Sequence, residues 1–235
     1  MKDMLKKLIS ELKSLANPKQ AEILQRFFRT KKGEYGEGDI FLGIRVPMQR
    51  KIAKKYLDLN LKDIQELLEN KIHEYRMIAL IILISKYKKS NNLEKEKIFK
   101  FYIQNAQRAN NWDLVDLSAP NIVGDFLLDK KKDILYKLSK SKNLWEKRIA
   151  IVSTYTFMKN NNFKDTIKIS EILLKDQHDL IHKAVGWMLR EVGKKDKKIL
   201  EDFLKKHYKQ MPRTTLRYSI ERFPEDERKK WLNKN

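Results

Sequence analysis

The sequence contains no cysteine. Without thiols the chain can form neither a disulfide nor a thiolate nucleophile, and zinc sites with cysteine ligands are excluded. This composition fits the reducing cytosol, so we expect a cytoplasmic protein. Glycine and proline are also scarce, with seven and five among 235 residues, which indicates helices joined by short turns.

Long apolar segments are missing as well. The N-terminus lacks the continuous apolar run of a signal peptide. The longest apolar run, Met77 to Ile84, is far too short to span a bilayer. We therefore expect no membrane segment. A hydrophobic content of 41% is nevertheless enough for a real core, so the chain is not a disordered basic tail.

Negative charge is scarce relative to positive charge. The chain carries 52 Lys and Arg residues against 31 Asp and Glu residues, a formal net charge of +21. That excess points to a polyanionic partner, which could be DNA, RNA or an anionic membrane surface. The alternative is that many lysines are simply solvated, as in a lysine-rich proteome.

Helical periodicity runs through the whole chain. The leucines of the first segment recur at helical spacing, and no later stretch shows convincing β-alternation. Residues 31–39 contain three glycines and form the most loop-like segment. The sequence predicts an all-α fold.

A longer period links positions in the later helices. Arg76, Trp112, Arg148 and Ala184 follow one another at intervals of 36 residues (112 − 76, 148 − 112 and 184 − 148), and Arg217 comes 33 later (217 − 184). Two helices per unit of this size are typical of an α-solenoid, since HEAT and armadillo units run to about 40 residues. We predict a single HEAT-like helical-repeat domain over residues 1–235, with a concave basic groove.

The stretch from Asn110 to Pro120 carries the most distinctive side chains. Two Asn residues precede an apolar-periodic segment, which predicts a helix starting at Trp112 with Asn111 as its cap. Asp113 then lies in the first turn, where a carboxylate complements the helix dipole. Asp116 lies beyond that turn and shares a helix face with Trp112 at i, i+4. A core Trp beside a structural Asp is the simpler interpretation of this stretch taken alone.

Equivalent positions of stacked repeats form a column on one surface. Cations interleaved with aromatic rings are what a surface cradling a nucleic-acid duplex requires, because Arg and Lys neutralise phosphates and Trp offers π-rich contact. For Arg76 and Arg148, pairing with carboxylates inside the solenoid is an equally good interpretation. The column that we predict to bind nucleic acid comprises Arg76, Trp112 with Asp116, Arg148, Lys183 with Trp187, and Arg217.

Trp187 and Arg190, at i, i+3, form a second aromatic–cation pair. Gly186 beside them indicates either a close backbone approach to a ligand or tight helix packing. His178 and His182, at i, i+4, could share a metal, but no third ligand has suitable spacing. The sequence shows no phosphate loop, nicotinamide fingerprint or serine triad spacing.

Several motifs together resemble one family, the AlkD-type DNA alkylation repair glycosylases. They run in order over nearly the whole chain: Phe41–Pro47, Trp112–Asp116, Arg148 in its helix, and Lys183–Glu191. The resemblance implies a HEAT-like solenoid that removes N3- and N7-alkylated purines from duplex DNA. It also implies a catalytic carboxylate at Asp116, contacts to the damaged nucleotide from Trp112 and Trp187, and a contact of Arg148 with the DNA backbone.

The chain departs from the family pattern at three places. Phe27 stands where a known member has an aromatic hydroxyl, Asn111 stands where it has a second Trp, and the Gly-rich loop is longer. We still expect Phe27, Arg76, Lys183, Arg190 and Arg217 to bind DNA alongside Arg148.

The chemistry of alkylated purines supports a glycosylase with one carboxylate. An N3- or N7-alkylated purine is already cationic, so it leaves without a general acid, and one carboxylate with flanking π-faces can stabilise the sugar cation. We therefore predict a monomeric DNA glycosylase without metal or redox cofactor, cytoplasmic and nucleoid-associated when bound to DNA. The alternatives are a non-catalytic HEAT protein that binds damaged or branched DNA, and a protein-binding scaffold.

Overall fold

The computed structural model describes residues 2–233, and every regular element in that range is helical. Helices account for 73% of the described residues. A single isolated bridge between Ile40 and Ile72 is the only β-type pairing in the described residues. The predicted all-α class is confirmed. No helix within residues 2–233 is long and apolar enough to cross a membrane.

The helices group into two compact units, residues 1–118 and 119–235. We call them the N-terminal unit and the C-terminal unit; the single domain expected from the sequence stays a prediction. The N-terminal unit contains α1 (Lys2–Ser14), α2 (Pro18–Phe27), α3 (Val46–Ala53), a 3₁₀ turn (Lys54–Tyr56), α4 (Leu61–Leu68), α5 (His73–Lys89), α6 (Asn92–Gln104), a second 3₁₀ turn (Ala106–Arg108) and α7 (Trp112–Ala119), whose final residue falls past the boundary.

The C-terminal unit continues the pattern of paired helices. It contains a π-helical turn (Pro120–Gly124), α8 (Asp125–Leu127), α9 (Asp133–Ser139), α10 (Leu144–Lys159), α11 (Lys164–Leu173), α12 (Asp179–Lys195), α13 (Lys197–His207), a 3₁₀ turn (Tyr208–Gln210), α14 (Arg213–Ser219) and α15 (Glu225–Leu232).

Asparagine side chains define where many helices start. The side-chain oxygens of Asn17, Asn60 and Asn91 accept hydrogen bonds from the amides of Gln20, Asp63 and Glu94 at 3.0, 2.9 and 3.0 Å. Each bond satisfies an amide that has no partner inside its helix. These caps explain the abrupt starts of α2, α4 and α6 in a chain with few prolines.

Helix α5 is the centre of the N-terminal unit. Thirteen of its 17 residues are buried, including the whole Met77–Ile84 run. A helix that is apolar on all sides must be covered on all sides, and α3, α4 and α6 pack against it. The longest apolar run of the sequence is therefore a core helix.

The predicted repeat appears in the spacing of the helix starts. Helices α5, α7, α10, α12 and α14 start at residues 73, 112, 144, 179 and 213, which gives intervals of 39, 32, 35 and 34 residues. The five positions matched from the sequence, at 76, 112, 148, 184 and 217, each fall within the first six residues of these helices. The repeat of two helices per unit is confirmed.

Gly186 marks the close packing of α12 against α14. A Cβ at this position would lie 2.5 Å from Cβ of Tyr218 and 2.7 Å from the carbonyl oxygen of Thr215. One of these atoms is a Cβ and the other is a backbone oxygen, so neither can move away unless α14 shifts. Of the two interpretations of Gly186, tight helix packing is the one that the structure supports.

We predict that Gly186→Ala destabilises the protein by about 1–3 kcal/mol, because the added methyl overpacks a rigid contact. Gly193→Ala is the matched control on the same helix. Its Cβ would meet chiefly the terminal carbon of Leu200 at 2.4 Å, which can rotate away, while the substitution gains helix propensity. Urea unfolding of both variants measures the difference, and equal losses of free energy would contradict this account of the α12–α14 contact.

Candidate nucleic-acid interface and catalytic carboxylate

The start of α7 is where the sequence predicted it. Trp112 is the first residue of the helix, and the side-chain oxygen of Asn111 accepts a hydrogen bond from the Trp112 amide at 2.8 Å. Asp116 lies one turn further along, half-buried and at i+4 from Trp112. The two residues therefore share one helix face, as the spacing predicts.

Trp112 belongs to an aromatic cluster that we define by Phe27, Phe28, Phe41, His73 and Trp112. The Trp112 ring stacks on Phe28 at 5.3 Å and meets Phe27 edge-on at 5.9 Å. Phe28 in turn stacks on Phe41 at 5.1 Å. Phe27, at the end of the cluster, is 62% exposed. Such an exposed ring beside a half-buried Trp offers a π-surface to a ligand.

A buried ionic network lies on the other side of the cluster. One carboxylate oxygen of Asp39, Oδ2, is 2.7 Å from Nη2 of Arg76, 3.3 Å from Nδ1 of His73 and 3.4 Å from the side-chain amide nitrogen of Asn111. Nε2 of His73 lies 2.9 Å from the carboxylate of Asp113. The network thus joins the Gly-rich loop to α5 and to the first turn of α7.

The Gly-rich loop is ordered by its own hydrogen bonds. The carboxylates of Glu34 and Glu37 accept from the amides of Lys31 and Gly33 at 2.9 and 2.7 Å. Gly36 could not carry a side chain, because a Cβ there would lie 2.4 Å from the carbonyl oxygen of Phe28. This folding brings Asp39 back against the end of α2 and into the buried network.

The segment after the loop is held by a buried carboxylate. Glu74, fully buried at the start of α5, accepts hydrogen bonds from the amides of Leu42, Gly43 and Ile44 at 2.9, 2.8 and 3.2 Å. Three amides on one carboxylate compensate for its burial. Phe41 is thereby fixed within the aromatic cluster.

Tyr102 lies in the core below α7. Its hydroxyl is 2.8 Å from that of Ser118, which donates to the carbonyl of Leu114 at 2.6 Å. Burial raises the pKa of Tyr102 well above its ordinary value, and the negative charge of Asp116 adds to that rise. Tyr102 is therefore a neutral group at physiological pH and packs as part of the support of α7.

The two arginines for which the sequence left two interpretations are both buried. Arg76 pairs with Asp39 and donates to the carbonyl of Asn70 at 2.7 Å, with its side chain 3% exposed. Arg148 donates to the carbonyl of Leu180 at 2.6 Å and is 5% exposed. For Arg76 the internal ion pair accounts for the observed contacts. For Arg148 the hydrogen bond goes to a carbonyl on the neighbouring helix α12. Their DNA contacts stay predictions.

In the C-terminal unit, α12 carries three of the predicted site residues. Lys183, Trp187 and Arg190 follow at i, i+4 and i+7, so they share a face. Lys183 pairs with Asp179 at 2.6 Å, and Arg190 pairs with Glu221. Arg217, on α14, is exposed. The structure thus leaves Arg217 the more accessible cation of this group, while Arg190 is 19% exposed at its side chain.

Tyr155, on α10, stands beside Trp187. The two ring centroids are 5.8 Å apart, and the ammonium of Lys159 lies 4.7 Å from the centre of the Tyr155 ring. Sequence reasoning missed Tyr155, although it follows Arg148 by seven residues and therefore lies on the same face of α10.

His178 and His182 have structural roles. His178 caps α12, with its Nδ1 accepting from the amide of Leu180 at 3.1 Å. Nε2 of His182 lies 2.6 Å from the carbonyl oxygen of Asp176, so that nitrogen donates. Within the described part of the chain no group of three His, Asp or Glu side chains is placed to hold a metal ion.

The family model for DNA alkylation repair enzymes matches residues 8–223. The chain belongs to this family. No curated protein sequence matches it. The fold of this alkylation repair family member is similar to a solved predicted DNA alkylation repair enzyme from Enterococcus faecalis, with a TM-score of 0.70 and 17% identity over 89% of this chain and 97% of that one. It is also similar to AlkD2 from Streptococcus mutans, with a TM-score of 0.55 and 18% identity over 87% and 97% of the two chains.

The family and the all-α repeat fold expected from the sequence are therefore confirmed, whereas the roles of individual residues stay predictions. The spacing of residues in the sequence did not predict that Asp39, His73 and Asp113 meet in the buried network. His73 is 34 residues from Asp39 and 40 residues from Asp113 in the chain. Their proximity follows from the folding of the Gly-rich loop and the packing of α7 on α5.

Asp113 is more than a first-turn residue of this family member. It complements the helix dipole, as the sequence predicted, and its Oδ1 accepts a hydrogen bond from the amide of Leu114 at 2.8 Å. Its other oxygen bonds the buried His73. An Asp113→Asn variant is consequently no inert control for substitutions at Asp116.

We predict that Asp113→Asn lowers the free energy of unfolding by about 2 kcal/mol or more, because it removes one charge from a largely buried pair. Asp133→Asn is the comparison. Asp133 also lies in the first turn of a helix, α9, but is exposed, so its loss costs only the dipole interaction of about 0.3–1 kcal/mol. Chemical denaturation measures both, and similar small losses would show that the His73 contact contributes little.

Proposed function

We propose that the protein is a DNA glycosylase that excises N3- and N7-alkylated purines from duplex DNA by hydrolysis of the N-glycosidic bond. One observation carries the proposal: in a member of the DNA alkylation repair enzyme family, a half-buried carboxylate, Asp116, lies one helical turn from a Trp that is stacked in an aromatic cluster. The net charge of +21 suits a DNA ligand.

The leaving group determines what the protein must supply. An alkylated purine already carries positive charge, so its bond to C1′ breaks with both electrons going to the base, which leaves neutral. The sugar develops oxocarbenium character, water adds to C1′, and the proton of that water goes to solvent. A general acid is not needed, in contrast to ordinary glycosides, which use a pair of carboxyl groups.

In this proposal Asp116 stabilises the positive sugar and orients the attacking water. A fixed carboxylate placed where charge develops is the kind of group that contributes most to such reactions. Trp112 contributes its π-face to the cationic nucleotide, and we propose a nucleotide contact for Trp187 as well. Phe27 offers an exposed ring to the DNA, and Tyr155 extends the aromatic surface of Trp187.

The exposure of each cation decides the role that we propose for it in DNA binding. Arg217 and Lys183 contact phosphates, and Arg148 and Arg190 contribute positive potential from partly or fully buried positions. Arg76 acts through the buried network that supports Trp112. We propose that no metal or redox cofactor takes part, since hydrolysis of a cationic nucleoside requires none.

We predict that Asp116→Asn lowers the rate of excision by roughly 10²-fold or more, because it removes the charge and keeps the shape. Duplex affinity should hold or increase, since a carboxylate near phosphates repels them. The assay is single-turnover release of free base from duplex DNA containing N7-methylguanine. Asp129→Asn is the matched control: it also raises the net charge by one, from +21 to +22, at an exposed position.

Three outcomes of this assay are informative. If wild type releases no base from any N3- or N7-alkylated duplex, the glycosylase proposal fails and a non-catalytic DNA-binding protein replaces it. If wild type is active and Asp116→Asn matches it, the enzyme class stands and Asp116 is the wrong residue. Equal losses in both variants would point to net charge rather than to the position of Asp116.

We predict that Arg217→Ala weakens duplex binding and lowers the slope of log K against log salt by about one phosphate equivalent. Arg217 is exposed on α14, so its loss should leave stability within about 0.5 kcal/mol of wild type. Arg50→Ala, which removes an exposed Arg from α3 outside the column, is the control. Equal slopes for the two variants would remove Arg217 from the set of phosphate contacts.

A further inference from the structure

His73 is the one histidine in the described chain with a carboxylate against each ring nitrogen. Nδ1 is 3.3 Å from Oδ2 of Asp39, and Nε2 is 2.9 Å from Oδ2 of Asp113. The three side chains are 3%, 4% and 14% exposed. The proposed chemistry at Asp116 does not use this arrangement, although it lies immediately beside Trp112.

The geometry around His73 favours its doubly protonated form. A neutral imidazole carries one N–H and one lone pair, so one ring nitrogen would direct its lone pair at a carboxylate oxygen. The imidazolium form donates to both. It also balances the charges of the network, because Asp39 and Asp113 are then matched by Arg76 and His73.

The pKa of His73 follows from competing effects. Burial opposes the cation and lowers the pKa, but the attraction of Asp113 and the hydrogen bonds to Asp113 and Asp39 outweigh burial, so the pKa lies above its ordinary value of 6.5. The charge of Arg76 opposes this rise to a smaller extent. A buried histidine with a raised pKa is the reverse of His178, whose pKa burial lowers.

Aromatic rings hold His73 from its faces. Phe41 stacks on the imidazole at 4.6 Å, and Phe28 lies 5.0 Å away with its plane tilted by 34°. Phe28 is also the ring on which Trp112 stacks. The imidazole therefore touches the Gly-rich loop through Asp39, the end of α2 through Phe28, and the first turn of α7 through Asp113.

We propose that His73 is a positioning residue: its imidazolium bridges Asp39 and Asp113 and thereby holds the first turn of α7, with Trp112, in the place that the damaged nucleotide requires. This inference rests on the proposed glycosylase function for its effect on rate. The bridge itself is a property of the folded protein and can be tested without any substrate.

Several charged groups surround His73. Asp39, Asp113 and Glu74 are carboxylates held by cations or by backbone amides, and Asp116 lies one turn further on α7. Arg76 stays charged because guanidinium titrates far above neutrality. The end of α2 contributes uncharged Phe27 and Phe28 to this contact. His73 is the group of this set that carries an imidazole, the side chain whose ordinary pKa lies nearest neutrality.

The sign of the pH effect follows from the raised pKa. The stabilisation that His73 contributes is fully present below the unfolded value of about 6.5 and is lost as pH rises through the folded value. We predict that the midpoint of thermal unfolding and the excision rate of wild type fall together as pH rises through the folded-state pKa of His73. His73→Gln should lack this step and should be slower by about 10-fold to 100-fold at neutral pH, as expected when a reacting group is misplaced.

The decisive measurement is NMR of the full chain with ¹⁵N-labelled histidine. At pH 7.5 we expect both ring nitrogens of one histidine to be protonated, and His73→Gln to remove that signal, while His178 stays neutral as an internal reference. A neutral single tautomer for His73 at this pH would overturn the proposal. The spectrum of wild type answers the question even if the variant fails to fold.

The functional half of the proposal needs a separate comparison. Single-turnover excision and duplex affinity are measured for wild type and His73→Gln between pH 6 and pH 9. A fall in the wild-type rate without a matching fall in affinity, and its absence in the variant, supports positioning. Parallel pH profiles of the two proteins would overturn it. If wild type excises nothing, the glycosylase proposal fails, whereas the NMR result still decides whether the bridge exists.

Discussion

The carboxylate of Asp39 is the interaction on which the candidate site depends. One of its oxygens is approached by a guanidinium, an imidazole and an amide, all within 3.4 Å and all buried. A carboxylate in such a place is unfavourable alone, and its cost is offset because several donors surround it. The Gly-rich loop that carries Asp39 is held against α5 and α7 by this convergence, and Phe41 and Phe28 take their places around it.

A buried polar network of this kind specifies one arrangement more than it adds stability. Replacing a whole buried ion pair by apolar side chains is often neutral, whereas removing one partner is costly. In the N-terminal unit the partners come from a loop, from the start of α5 and from the start of α7. Because each of these partners needs the others, the network favours one packing of the aromatic cluster. In that packing Trp112 is half-buried and Phe27 is exposed.

The proposed chemistry suits a site built from one carboxylate and aromatic rings. Enzymes that flip a base into a pocket read it by hydrogen bonds to its edge and by stacking. A cationic purine needs neither a general acid nor a deep pocket, so a half-buried Asp on a helix, one turn from a Trp, is sufficient in principle. Positioning then becomes the main requirement, because a small displacement of the carboxylate from the sugar cation weakens the attraction that lowers the barrier.

The sequence by itself determined the features that depend on local pattern and on period. Helical spacing predicted the all-α class, Asn111 before Trp112 predicted the start of α7, and the interval of about 36 residues predicted paired helices. These follow from contacts between residues close in the chain. The family resemblance added the predicted catalytic role of Asp116 and the predicted nucleotide contact of Trp187, which no spacing rule alone assigns.

Tertiary structure alone decided which distant residues meet. Asp39 and Asp113 read as a loop residue and a helix-dipole residue, and only the fold places them on either side of His73, across 34 and 40 residues. For Arg76 the sequence left both a phosphate contact and an internal ion pair open, and only the fold places its guanidinium beside Asp39. The contact between Tyr155 and Trp187 depends on the packing of α10 on α12. In each case the missing information was a contact between segments remote in sequence, which periodicity does not encode.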